Sequence, residues 1–269
     1  MTATDRLFAE FRRTGRKAFI PFLPAGDPDL AFTAEALAAV AGAGASLVEV
    51  GFPFSDPIAD GPVIQASYTR ALDRGLKFAD LFATLKAVTS RPGWSTPLVG
   101  MASYSLFWRR GPKTFLDAAK AAGLSGLVVP DLPVEEADDL SQQCRDTGLS
   151  LTLLVAPTTS PERAEKIVRA CTGFVYVVSV VGITGTRDRL PTDLTGQLAR
   201  LRGMTDLPLC VGFGVSRPEQ VRELKAIADG VIVGSALAKL LDSAGTPAGR
   251  AAALAELREL VSNLSAALG

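Results

Sequence analysis

The chain carries at residues 47–62 the stretch LVEVGFPFSDPIADGP, which begins with a short apolar run around one glutamate. Residues 47–52 are apolar at both alternating positions apart from Glu49, a pattern typical of a parallel strand that is covered on both faces. Similar runs occur at residues 18–23, 97–101, 126–130, 149–155, 174–180, 208–213 and 230–233. The chain therefore contains eight candidate strands of one type.

Segments rich in Ala, Leu, Glu, Lys and Arg separate these strands and predict helices. They cover residues 30–43, 114–122, 134–147, 161–171, 218–228 and 251–267. Eight strands that alternate with helices over roughly 250 residues match a TIM barrel. We expect a single (β/α)8 domain over residues 1–269, with a doubly wound sheet of fewer strands as the alternative. The interval from residue 54 to 94 departs most from alternation and predicts an extended loop after strand 2, which in barrels usually serves the active site.

Composition narrows the functional classes. The 28 basic and 28 acidic residues cancel, which argues against nucleic-acid binding and against an anionic membrane surface. No apolar segment approaches the roughly 18 residues of a membrane span, and the first residues lack the apolar run of a signal peptide. Three widely spaced cysteines are typical of small core residues in a reducing compartment. We expect a soluble, cytoplasmic protein.

The chain contains no histidine. This excludes a Ser-His-Asp or Cys-His mechanism and any histidine-ligated metal, so acid-base chemistry falls to Asp, Glu, Lys, Tyr or Cys. Glu49 is the main candidate because it lies inside an apolar strand, where it points either into the barrel or at the helix layer. Burial there would raise its pKa, which suits a group that gives and takes protons near neutral pH. A buried structural ion pair is the alternative.

Two aspartates follow Glu49 in a loop stiffened by prolines. Asp56 and Asp60 would each, taken alone, be assigned to a turn or a helix cap. Asp60 is favoured as a functional residue by its proximity to Glu49 in the sequence. Prolines on both sides of these residues predict a loop that holds a side chain in a fixed position over the barrel mouth.

Glycine-rich loops follow the last three predicted strands, at residues 182–185, 212–216 and 233–236. Backbone amides approach a phosphate closely at glycine, and helix N-termini add donors. The loops after strands 7 and 8 form a recurrent phosphate site in TIM barrels. The sequence therefore predicts a phosphorylated small-molecule ligand.

The stretch at residues 48–61 resembles the signature of the tryptophan synthase alpha chain family. Similar segments extend along nearly the whole chain, at residues 26–28, 129–133, 156–163, 182–185 and 212–214. The resemblance implies a lyase of L-tryptophan biosynthesis that cleaves indole-3-glycerol phosphate to indole and glyceraldehyde 3-phosphate. It also implies a pyridoxal-phosphate-dependent beta chain as partner in an α2β2 complex, with no cofactor or metal in this chain.

The resemblance further implies roles for individual residues. Glu49 matches the family's acid-base glutamate and Asp60 its indole-orienting aspartate, while Asp56 and Pro57 match the loop that faces the beta chain. The remaining matches are Thr184 and Gly185 in a mobile loop after strand 6, Gly214, Gly234 and Ser235 at the phosphate, and Phe22, Tyr176, Phe213 and Ile232 beside the substrate.

The sequence departs from the family pattern at two places. Ser105 stands where the family usually has asparagine, and Pro24 where threonine is common. Neither change affects Glu49 or Asp60, but each leaves local packing open. Two other functions remain as alternatives: a different phosphate-binding barrel enzyme, such as a sugar-phosphate isomerase or a lyase that releases free indole, and a barrel that only regulates a partner.

Overall fold

A computed structural model describes residues 1–57, 60–179, 193–212 and 214–269. The strands are β1 (Ala18–Pro24), β2 (Val48–Gly51), β3 (Leu98–Met101), β4 (Leu124–Val128), β5 (Ser150–Thr152), β6 (Leu154–Val155), β7 (Val175–Val178), β8 (Leu209–Gly212) and β9 (Gly230–Val233). Each lies within or next to a run that the sequence predicted as a strand.

The strands form one parallel sheet in the order β5-β4-β3-β2-β1-β9-β8-β7-β6. Its two ends, β5 and β6, are consecutive in the chain and separated only by Leu153. They are two halves of the fifth barrel strand, of which β5 pairs with β4 and β6 with β7. The sheet therefore returns on itself as a nearly closed barrel. This confirms the TIM barrel and excludes the doubly wound alternative.

Helices surround the barrel. They are α1 (Ala3–Thr14), α2 (Leu30–Gly42), α3 (Pro62–Asp73), α4 (Phe78–Thr89), α5 (Tyr104–Arg110), α6 (Pro112–Ala121), α7 (Ala137–Thr147), α8 (Pro161–Ala170), α9 (Leu194–Arg202), α10 (Pro218–Lys225), α11 (Ser235–Ala238) and α12 (Pro247–Leu268). The six predicted helices correspond to α2, α6, α7, α8, α10 and α12. No helix in the described ranges has the length and apolar character of a membrane span.

The interval after β2 contains two helices that the sequence analysis did not predict, α3 and α4. The rest of the described chain there forms short connections. Gly61 and Pro62 begin α3, with proline in the first turn, where its missing N–H costs no hydrogen bond. Asp60 therefore lies one residue before the helix cap instead of within a long free loop.

Buried apolar side chains form two clusters on either side of the sheet. The larger cluster lies between the strands and the helices, and includes Val48 and Val50. The smaller one fills the barrel interior and includes Phe22, Val99 and Tyr176. Phe8 and Phe11 of α1 belong to the interior cluster, so α1 covers the amino-terminal end of the barrel. All three cysteines are free and buried, as predicted.

Candidate active site at the mouth of the barrel

Glu49 points into the barrel. Its neighbours across the sheet are Phe22 on β1 and Val99 on β3, both of which belong to the interior cluster. Adjacent residues Val48 and Val50 pack on the helix side, because successive side chains of a strand point to opposite faces. The strand register thus decides between the two orientations that the sequence left open.

The carboxyl group of Glu49 is buried without a polar partner. The residue is 1% exposed, and neither oxygen has a hydrogen-bond partner in the described part of the protein. Burial, with a smaller contribution from the charge of Asp60, raises the pKa of Glu49 to about 8. No structural ion pair to Glu49 is found among the described residues, so its burial lacks the compensation that such a pair would provide.

This burial predicts a pH-dependent loss of stability that Glu49→Gln removes. In the unfolded chain the carboxyl ionises near the ordinary pKa of a glutamate, 4.5, but in the folded chain its pKa is about 8. Between these values the unfolded state releases its proton first, so rising pH favours unfolding. We expect chemical denaturation to show that the wild type loses more stability than Glu49→Gln between pH 5 and pH 8.5, by on the order of a few kcal/mol.

Glu35→Gln is the control for that experiment, because Glu35 is an exposed glutamate on α2. It should follow the wild-type pH dependence. Identical pH dependence of all three proteins would contradict the raised pKa of Glu49.

Hydrogen bonds of the Asp60 backbone fix the loop that places this residue near Glu49. Its N–H donates to the carbonyl of Pro57 at 3.1 Å, and its carbonyl accepts from Nε2 of Gln65 at 2.7 Å. Burial raises the pKa of Asp60 to about 7. The fold therefore brings together two carboxyl groups that titrate near neutral pH, a combination typical of catalytic sites.

An ion-pair network around the buried carboxylate of Asp27 anchors α3 to the end of β1. Asp27, which is 2% exposed, accepts hydrogen bonds from Oγ of Ser67 at 2.7 Å and from Nη2 of Arg70 at 2.6 Å. The same Arg70 nitrogen donates to Asp242 at 2.7 Å. In the sequence Asp27 stands out only as part of the family motif at residues 26–28, and its partners are not predicted. The network keeps α3, and with it Asp60, in register with the barrel mouth.

A cavity of about 320 Å³ opens at this mouth. Asp60 and Tyr68 form one side, and the other lining residues are Phe52, Phe54, Asp56, Pro57, Met101, Ala102, Ser103, Pro130 and Asp131. The lining is mostly apolar with a few polar groups, as expected for a site that binds a small molecule. Asp56 and Pro57 border the same cavity as Asp60, with Asp56 exposed at its rim.

The loop after β3 is ordered by Asp131. Its carboxylate accepts from Oγ of Ser103 at 2.6 Å and from the N–H of Tyr104 at 2.7 Å, while Ser103 caps α5 and accepts from the N–H of Ser105. This network explains how the chain packs where Ser105 departs from the family pattern. Pro24, the other departure, ends β1 in register with Gly51.

The hydroxyl groups of Tyr176 and Tyr68 occupy space inside the barrel that a side chain would fill if two strand glycines were larger residues. The hydroxyl oxygen of Tyr176 lies 2.4 Å from the position that a Cβ on Gly212 would take, and that of Tyr68 lies 2.4 Å from the corresponding position on Gly51. Burial and the charges of Glu49 and Asp60 raise the pKa of both tyrosines. Tyr68 was not predicted as a site residue. Its only signal was the four-residue spacing from Ile64, which places both on the buried face of α3.

The predicted phosphate residues lie at neighbouring strand ends. β8 and β9 are paired, so the loops that follow them are adjacent. Gly214 has a φ of 79°, a conformation that favours glycine. Gly234 caps α11 and Ser235 begins it. A Cβ on Gly234 would stand 3.3 Å from Cδ1 of Phe22, so this loop borders the interior cluster.

The remaining predicted residues divide into two groups. Phe22, Tyr176 and Ile232 all belong to the interior cluster, on the barrel face that carries Glu49. Thr184, Gly185 and Phe213 lie outside the described residues, as does the loop after strand 6 that was predicted to be mobile.

Comparison with known proteins gives a consistent result. The tryptophan synthase alpha chain family matches residues 8–268. The tryptophan synthase alpha chain of Synechocystis sp. is 50% identical over 248 residues, which cover 92% of this chain and 93% of that protein. The corresponding protein of Rhodopirellula baltica is 49% identical over 240 residues, covering 89% and 86%.

Solved structures agree with these relatives. The tryptophan synthase alpha subunit of Legionella pneumophila superposes with a TM-score of 0.89 at 31% identity, covering 100% of this chain and 98% of that one. A mutant alpha subunit from Pyrococcus furiosus gives a TM-score of 0.83 at 40% identity, covering 93% and 98%. With a family match along almost its whole length and a relative at half identity, this chain belongs to the tryptophan synthase alpha chain family.

Proposed function

We propose that Glu49 and Asp60 carry out the alpha reaction of tryptophan synthase in this chain, the cleavage of indole-3-glycerol phosphate to indole and glyceraldehyde 3-phosphate. The observation that carries this assignment is a pair of neighbouring buried carboxyl groups: Asp60 lines an apolar cavity, and Glu49 lies close enough for the charge of Asp60 to affect it. Their pKa values are raised to about 7 and about 8. At neutral pH this pair supplies one protonated and one ionised carboxyl group. The reaction requires both.

Glu49 acts as the acid and then as the base. To break the bond between indole C3 and the glycerol chain, the protonated carboxyl gives its proton to C3, which leaves positive charge shared with the ring nitrogen. The carboxylate so formed takes the proton of the side-chain hydroxyl as the carbon–carbon bond breaks and the aldehyde forms. Glu49 ends the cycle protonated again. The pKa of about 8 suits a carboxyl group that must alternate between its protonated and ionised forms near neutral pH.

Asp60 stabilises the charge that develops on the indole ring. An ionised carboxylate beside the ring N–H accepts its hydrogen bond and opposes the positive charge in a poorly solvated cavity, where such interactions are strong. The apolar lining, including Phe52 and Met101, suits the ring itself. Phe22, Tyr176 and Ile232 line the barrel interior below. In this proposal Phe213, Thr184 and Gly185 complete the substrate contacts.

The phosphate of the substrate is assigned to Gly214, Gly234 and Ser235. These residues follow two paired strands, and Gly234 lies beside Phe22, which is the cross-strand neighbour of Glu49. A ligand with its phosphate here and its ring beside Asp60 therefore passes Glu49 with its glycerol chain. Backbone amides at glycines offer donors at close range.

Ser235→Asp is expected to weaken binding of glycerol 3-phosphate at least about tenfold, because it places a negative charge beside the phosphate. Isothermal titration calorimetry measures the affinity. Ser262→Asp adds the same charge on the exposed side of α12 and should leave the affinity unchanged. Equal affinities for the wild type and Ser235→Asp would place the phosphate site elsewhere.

The partner in this proposal is a tryptophan synthase beta chain, in an α2β2 complex. Asp56 and Pro57 lie on the loop that holds Asp60, and Asp56 is exposed at the cavity rim. A partner that touches this loop favours the conformation in which Asp60 is in place, which raises activity without adding a catalytic group.

The function is tested by incubating the purified chain with indole-3-glycerol phosphate, with and without a beta chain, and assaying indole. We expect slow indole formation by the isolated chain and strong activation by the partner. No indole under either condition would refute the lyase assignment. Full activity without any response to a beta chain would favour the lyase that releases free indole.

A further inference from the structure

Tyr68 is a buried tyrosine that the mechanism above does not use. It lies on α3, is 3% exposed, and lines the same cavity as Asp60. Its hydroxyl occupies the space that a side chain on Gly51 would fill. Gly51 is two residues beyond Glu49 on β2, and residues two apart in a strand share a face. The hydroxyl of Tyr68 therefore lies on the face of β2 that carries the catalytic glutamate.

The surroundings of Tyr68 place its hydroxyl between the two ends of the proposed ligand. The ring of Phe22 reaches the same point above Gly51, with Cζ 2.5 Å from the position of the missing Cβ, and also borders Gly234. Helix α3 packs against both β1 and α11, the short helix that begins at Ser235. Asp60 lies just before α3. The hydroxyl of Tyr68 is thus flanked by the ring site on one side and the phosphate loop on the other.

The phenol of Tyr68 acts as a hydrogen-bond donor and not as a base. Its burial and two nearby carboxyl groups hold its pKa well above the ordinary value, so it stays protonated throughout the neutral range. Because Tyr68 lines the cavity, its protonated hydroxyl is available to donate a hydrogen bond to a ligand oxygen that enters there.

We propose that Tyr68 is a specificity-determining residue whose hydroxyl donates a hydrogen bond to a hydroxyl oxygen of the glycerol chain of the substrate. This inference rests on the proposed function. The glycerol chain is the part of indole-3-glycerol phosphate that joins the ring to the phosphate, and it alone offers neutral hydroxyl oxygens at that position. Tyr68 then distinguishes the substrate from indole phosphates with an unsubstituted linker.

The test compares Tyr68→Phe with the wild type on two ligands. We expect kcat/KM for indole-3-glycerol phosphate to fall about tenfold, the upper end of the effect of one neutral hydrogen bond. The affinity for indole-3-propanol phosphate, which has the ring and the phosphate but no linker hydroxyl, should stay within twofold of the wild type. A role of Tyr68 in packing alone would change both quantities together.

Tyr104→Phe is the matched control, because Tyr104 packs on Phe107 and Trp108 of α5 and does not line the cavity. It should retain wild-type values with both ligands. A fall below threefold in Tyr68→Phe, an equal loss of affinity for the propanol analogue, or an equal fall in the control would overturn the role of Tyr68. Absence of indole formation by the wild type would instead refute the proposed function, so the two failures are distinguishable.

Discussion

Glu49→Gln is expected to lower kcat for cleavage of indole-3-glycerol phosphate by roughly 100-fold or more, the scale of general acid-base catalysis. The amide neither gives a proton to indole C3 nor takes one from the glycerol hydroxyl. Because glutamine has the same shape as the protonated carboxyl group, substrate affinity should change little. The loss should therefore appear in kcat, while KM stays near the wild-type value.

Steady-state indole formation by the isolated chain and by its complex with a beta chain measures this effect. Glu35→Gln, on the exposed face of α2, is the control and should keep full activity. If Glu49→Gln retains more than about a tenth of wild-type turnover, Glu49 is not the acid-base group.

Asp60→Asn is expected to lower kcat/KM by on the order of 100-fold, the scale found when one preorganised electrostatic contact to a transition state is removed. A neutral amide still accepts a hydrogen bond but does not oppose the positive charge on the ring. Asp73→Asn, at the exposed end of α3, makes the same change outside the cavity and should be nearly silent. Near-normal activity of Asp60→Asn would make Asp60 a structural loop residue.

The pH profile gives Asp60→Asn a second readout. The proposed mechanism needs Asp60 ionised and Glu49 protonated. We therefore expect kcat/KM of the wild type to rise as pH increases through the Asp60 pKa of about 7 and to fall again above the Glu49 pKa of about 8. Because the two groups interact, these limbs belong to the pair. Asp60→Asn should lose the acidic limb. Its basic limb should move to lower pH, because the charge of Asp60 contributes to the raised pKa of Glu49.

The local hydrophobic pattern of the sequence predicted all the barrel strands but only some of the helices. A strand buried on both faces is an uninterrupted apolar run, which is visible without knowledge of its neighbours. Helices α3 and α4 were not predicted, because two helices between β2 and β3 break the simple alternation of one strand and one helix. Helix α1 was considered only as a possible leader segment, although its buried Phe8 and Phe11 cover the end of the barrel.

The fold class, the absence of histidine chemistry and the choice of Glu49 and Asp60 as candidate residues could all be predicted from residue types and their order along the chain. The orientation of Glu49 could not be predicted in this way. An apolar run on both faces of a strand carries no signal of orientation, and only the register with Phe22 and Val99 shows that Glu49 faces the barrel interior. The tertiary structure also decided that Tyr68 reaches the site. The Tyr68 hydroxyl fits there because Gly51 has no side chain and because Asp27 anchors α3. Both are contacts between residues far apart in the sequence, so local sequence pattern does not predict them.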